Sequence, residues 1–204
     1  LLGIYSNSFN GTVGGFTVRE LPGNHLIQPT ATSRPTLSSR YNLALNTGFT
    51  GAVAGTPGTA PTSWAGGFNG GSLAVTANGD GSNTLTYSVT SARHFLTTPN
   101  FAATTNTTTL FTVDLVSNSG LPIVELLTIE TGPVGTTVVY RVNGNTVTEG
   151  TIPVAGDKIT LALSTTTTAG NLASRMGVGC SNAVTGSASF RNPQWVVASD
   201  ASLP

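Results

Sequence analysis

Asn143-Gly144 stands between two short runs, Thr137 to Val142 and Thr146 to Glu149, in which apolar and polar residues take turns. An Asn-Gly step in that setting is the strongest short-range sign of a β-hairpin, because both residues accept the positive φ that a type I′ turn demands. The pattern recurs. Ser72 to Ala77 and Asn83 to Thr90 flank Asn78-Gly79-Asp80-Gly81, another stretch of turn residues. Along the second run Leu85, Tyr87 and Val89 share one face, and Thr84, Thr86, Ser88 and Thr90 share the other. Lys158 to Ser164 sets Ile159, Leu161 and Leu163 inward against Thr160 and Ala162. Thr108 to Ser117 and Val124 to Glu130 are the strongest apolar runs and are expected at the centre. Arg93 to Thr97 is a short strand, and Ser174 to Cys180 and Ser187 to Val197 close the domain. A helical turn is expected only at Asn171 to Met176. Strands with one hydroxyl face and one aliphatic face make antiparallel sheets packed face to face, an all-β sandwich.

The sandwich is expected over residues 41–204, opening on a short strand from Tyr41 to Leu45 and a Gly/Thr/Pro loop that ends at Trp64. Upstream, Ile4 to Phe9 and Gly15 to Leu21 have strand character. Two strands alone do not make a stable domain. Residues 1–21 are therefore expected to close a preceding domain or to form an arm between subunits. Residues 22–40 are rich in Pro, Thr and Ser without a period, an extended linker in which Pro22, Pro29 and Pro35 exclude helix. NGTVGGFTVREL near the start echoes NAVTGSASFRNPQW near the end. The echo reads either as a piece of a tandem array or as two unrelated strands of like composition.

A chain of 204 residues is long enough to bury a core without cross-links, and its single cysteine, Cys180, forbids an intrachain disulfide. Charged residues make up 8% of the chain and balance to zero, with Lys158 the only lysine. The basic stripe of a nucleic-acid binder is missing. No apolar run is long enough to span a membrane as a helix, so no membrane insertion is expected. Leu1 follows no secretion-signal pattern, and the missing initiator Met is expected of a fragment or a processed product. So uncharged a surface favours association, as in a subunit whose faces are covered by neighbours.

Catalytic chemistry finds little footing. A glycosidase needs two carboxyls roughly 5 to 10 Å apart. Glu125 and Glu130 lie five apart on one run and would face opposite sides of a strand; Asp80 and Asp157 sit in turns. Asp114 and Glu125 are the one pair that neighbouring strands could bring close. The only histidines are His25, in the linker, and His94, and Cys180 alternates with Met176 and Val178 as a buried small hydrophobe. Neither a zinc pattern nor a phosphate cradle is present: MGVGCSNA carries two glycines without a following helix or a lysine. No catalytic residue and no cofactor is therefore expected.

YNLALNTGFTGAVAGTPGTAPTSW, TIETGPVGTTVVYRVNG and RMGVGCSNAVTGSASFRNPQW occur in that order, preceded by VRELPGNHLIQPTATSRPTL. This series resembles the carbohydrate-binding-module-like jelly-roll domains of tailed-phage tail and virion proteins, over nearly the whole chain. The resemblance implies a jelly-roll topology and a non-catalytic place in a phage virion: tail fibre, adhesin or surface-decoration subunit. It implies contacts with other virion subunits, a homo-oligomer, and host attachment. Calcium-bearing members tend to carry Glu after the Gly-Phe step and Asp in the last strand. Here Thr50 and Asn192 stand at those places, without the anionic oxygens that calcium prefers, so no metal is expected. The alternative function is that of a carbohydrate-binding module for host surface glycan, accessory to a depolymerase. Sugar rings stack on flat aromatic faces. Trp64 is placed to plug one end of the sandwich, and Tyr87 alternates in phase with core aliphatics. The candidate glycan-binding set is Trp195, expected on the outside or against a neighbouring subunit, with Arg141 and Tyr140.

Overall fold

The computed structural model describes residues 42–68 and 70–198, which belong to one compact unit, Arg40–Pro204. The arm and linker expected over residues 1–40, Tyr41 and His25 lie outside the described residues. Two antiparallel sheets share one core. The five-stranded sheet runs in the order β1 (Ala65–Phe68), β4 (His94–Thr97), β11 (Gly170–Val178), β5 (Phe101–Ala103), with β7 (Leu127–Thr131) also on β11. The seven-stranded sheet runs β2 (Ser72–Ala77), β3 (Asn83–Ala92), β12 (Val184–Ala198), β6 (Thr107–Asn118), β10 (Lys158–Thr165), β8 (Thr137–Val142), β9 (Asn145–Val147). Leu96, Leu127, Leu172, Met176 and Val178 of the first meet Leu85, Tyr87, Phe111, Val113, Phe190 and Ile159 of the second in a continuous buried cluster. The two-layer all-β architecture is thus the one the alternation requires.

The turns behave as their residues dictate. Asn143 (φ 50°) and Gly144 (φ 84°) close the β8–β9 hairpin, with Val142 opposite Asn145. The Asn143 side chain fixes the turn to β10: its Oδ1 accepts the Lys158 N–H at 2.9 Å and its Nδ2 donates to Asp157 at 2.8 Å. Between β2 and β3, Asp80 accepts the backbone N–H and the hydroxyl of Ser82. Both aspartates thus shape turns, as their sequence positions imply.

Four expectations are corrected. Residues 42–45 do not form a strand; Asn42 Oδ1 accepts the N–H groups of Ala44 and Trp195, and one backbone bond, from Leu43 N–H to Trp195 O, ties the segment to β12. Val124 to Glu130 is not a central strand. Ile123–Leu126 is a single helical turn, α1, and β7 follows it, paired only with β11. Asn171 to Met176 is not helical but lies within β11. Thr160 and Ala162 are not solvated: they are 7% and 5% exposed, and Ala162 packs in a small second cluster with Leu110 and Ala198.

Candidate functional site

The expected aromatic platform is not assembled. Trp195 faces the core at 1% exposure, with its ring edge-on to Phe101 and Phe111 at 6.1 and 6.4 Å. The reason is a shift of register in β12, which turns Phe190 and Trp195 to the same side although an odd number of residues separates the faces of a regular strand. Tyr140 is 4% exposed, and burial raises its phenol pKa against a lowering by the Thr128 hydroxyl. Arg141, next along β8, belongs to the other face. A sugar ring needs an open aromatic face, and neither Trp195 nor Tyr140 offers one. Trp64 is buried in the core: it lies 5.6 Å from Phe49 and 6.3 Å from Phe111, and its indole N–H donates to Leu45 O.

The carboxylates are distributed over separate structural duties. Glu125, 5% exposed on α1, accepts the backbone N–H groups of Ser181 and Asn182 and the Asn182 side-chain amide. Glu130 pairs with Arg175 on the outer side of β11. Asp114 lies on β6 with Lys158 and Arg191, so it is not joined to Glu125. Cys180 is buried, its thiol pKa pushed up by desolvation, and its S–H donates to Leu126 O. Arg93 and Arg175 both donate to the Cys180 carbonyl and both stack over Phe95, at 5.1 and 4.9 Å from the ring centre.

What the structure does bring together is a polar cleft over the middle of the seven-stranded sheet. Asp114 on β6 is the register partner of Lys158 on β10 and of Arg191 on β12. The β12 pairing then slips between Arg191 and Gln194, with Asn192 at φ 53° and Pro193 inside the strand. Proline donates no ladder bond, so it marks an irregularity in a strand that is otherwise central. The slip carries the Asn192 side chain to Asp114. Lys158 Nζ donates to Asp114 Oδ1 at 2.7 Å, Asn192 Nδ2 donates to Oδ2 at 2.9 Å, and Arg191 Nε stands 4.0 Å from Oδ2. Partial burial alone would raise the Asp114 pKa; the Lys158 and Asn192 hydrogen bonds and the Lys158 and Arg191 charges outweigh it and lower the pKa. Asn42, Thr47, Pro193 and Gln194 complete a cleft of about 380 Å³.

Among the described residues no group of three or more His, Cys, Asp or Glu side chains comes together. In the opening loop the carbonyls of Thr50 and Thr62 converge on an amide: Asn46 Nδ2 donates to them at 2.7 and 2.9 Å, while its Oδ1 accepts the Thr50 N–H at 2.8 Å. A donor group occupies the place between the carbonyls, so no metal chemistry is assigned to this loop.

The cleft escapes a reading by motif because its parts come from three strands far apart in sequence. Its sequence traces are the Asn192-Pro193 step between Phe190 and Trp195 and the single lysine. No protein-family model matches the chain, and no curated protein matches it.

Proposed function

We propose that the chain is a non-catalytic structural module of a bacteriophage virion, a tail-fibre, adhesin or surface-decoration subunit with jelly-roll connections, acting through contacts with other virion subunits and with its own copies. The observation that carries the non-catalytic part is the use of acidic groups. Asp80, Glu125, Glu130 and Asp157 hold turns, strands and loops in place, and among the described residues no three His, Cys, Asp or Glu side chains come together. The ordered series of motifs supports the virion part. Hydroxyl pairs at the surface support the contact role, since they present little charge: Thr108 to Ser164 at 2.9 Å and Thr104 to Thr107 at 2.9 Å. Electron cryo-microscopy of the intact particle tests the reading. The expected result is density for this sandwich in symmetry-related copies on the particle surface or tail. Purified particles that lack the chain would defeat it.

A second reading, a carbohydrate-binding module for host surface glycan, is favoured by the cleft at Asp114 and not by the buried Trp195 and Tyr140. Screening the full chain against bacterial surface glycans separates the two readings, because a purely structural subunit retains none.

A further inference from the structure

We propose that the cleft over Asp114 binds a neutral pyranose sugar through two adjacent hydroxyls. This rests on the second, glycan-binding reading and adds to it a site and a ligand chemistry. Three charged side chains meet here on a protein whose charged residues are only 8% of the chain, and one of them is its only lysine. Fold stability does not account for the cluster. Lys158 and Arg191 are 55% and 52% exposed, and exposed ion pairs add little stability. The slip in β12 interrupts a central pairing and holds Asn192 in a left-handed conformation. Bulges of this kind gather where a side chain must be re-aimed at a ligand.

The spare hydrogen-bonding capacity defines the ligand. Lys158 uses one of its three N–H donors on Asp114, and Asn192 uses one of its two. Each Asp114 oxygen accepts one of these bonds and keeps capacity for another. The result is an acceptor flanked on either side by a donor. Neighbouring sugar hydroxyls match it, since each O–H donates to the carboxylate while its oxygen accepts from the ammonium or the amide. An anionic group at the same place would set its oxygens against Asp114, and a simple cation would meet Lys158. The volume of about 380 Å³ lies within the range of small-ligand clefts.

The test uses the full chain on an array of bacterial surface glycans, neutral and acidic, followed by titration of the retained neutral glycans. Wild type is expected to retain neutral glycans. Asp114→Asn and Asn192→Ala are each expected to weaken them about tenfold or more, the scale of losing a hydrogen bond to a charged group. Lys158→Gln, at a largely solvated side chain, supplies a variant that folds if Asp114→Asn does not, with the same loss expected. Retention of no glycan overturns the glycan reading and the site with it. Neutral-glycan binding that survives in the folded variants, or retention of acidic glycans alone, overturns the site and leaves the glycan reading standing.

Discussion

At the residue scale, β4 and β11, neighbours in the five-stranded sheet, approach closely at Gly177. Gly177 lies opposite Phe95, and a Cβ built there falls 2.4 Å from His94 O and 2.5 Å from Phe95 Cα. Both are backbone atoms, so only movement of a strand makes room. Gly177→Ala is expected to cost about 2 to 4 kcal/mol, the range of overpacking and strand displacement. A Cβ at Gly79, in the β2–β3 turn, meets nothing within 4 Å, so Gly79→Ala is expected to stay within about 0.5 kcal/mol of wild type. Urea melts of the two variants check the contrast. His94, beside that pairing, is fully buried and edge-on to Tyr87 at 5.1 Å. Burial lowers its pKa below the ordinary 6.5. A depressed folded pKa means that stability is complete above 6.5 and falls as the pH drops through the folded value, because the unfolded chain takes up the proton more readily. His94→Phe, which keeps a ring in the site, is expected to flatten the decline between neutral and mildly acid pH. An unchanged slope in denaturation midpoints across that interval would remove His94 as its source.

At the scale of elements, one side chain holds the opening loop closed. Asn46 ties Thr50 and Thr62 together with both ends of its amide. Asn46→Asp places an anion against two carbonyl oxygens and is expected to cost about 1 to 3 kcal/mol in chelator. It also creates the all-oxygen setting that calcium accepts. Millimolar calcium is therefore expected to raise the melting temperature of the variant and leave wild type unmoved; two identical responses would refute the account of this loop. Strands bounded by turn chemistry were legible in advance: Ser72–Ala77 and Thr137–Val142 are found at the ends their turns predict. The second half of β11 falls within the strand expected from Ser174, but its first half was not legible, because Leu172, Ala173, Ser174 and Met176 are all buried and a register shift between Ala173 and Ser174 breaks the alternation. Leu172 and Met176, four apart, imitate a helical face. α1 hides for the opposite reason, since four residues are too few to show a period. The inward aim of Trp195 could not be read from the sequence, because the slip at Arg191 to Gln194 changes which side of β12 the following residues face. The same slip hid the Asp114 cleft.

For the whole molecule, the decisive property is the scarcity of charge. The chain balances to zero with 8% charged residues, and among the described residues the ion pairs are Lys158–Asp114, Arg175–Glu130 and Arg191–Asp114. Self-repulsion is too small to keep copies apart. The ends of the seven-stranded sheet are β2 and the three-residue β9, and β1 ends the other sheet with four residues. Short edges limit strand-to-strand growth, so contacts between copies are expected to run through hydroxyl-rich faces and exposed aliphatic side chains such as Val134, Ile152 and Val154. Contacts of that kind are not screened. The full chain, 20.7 kDa, is expected to sediment at micromolar concentration as an oligomer, with the same coefficient from about 0.05 M to about 1 M sodium chloride, a range over which the screening length shrinks several-fold. Sulfate is expected to strengthen the assembly, because excluded salts favour burial. A chain that sediments as a monomer throughout would defeat the assembly reading. An oligomer that dissolves as chloride rises would move the contacts onto the few charged groups, with Arg191 and Lys158 as the first to replace.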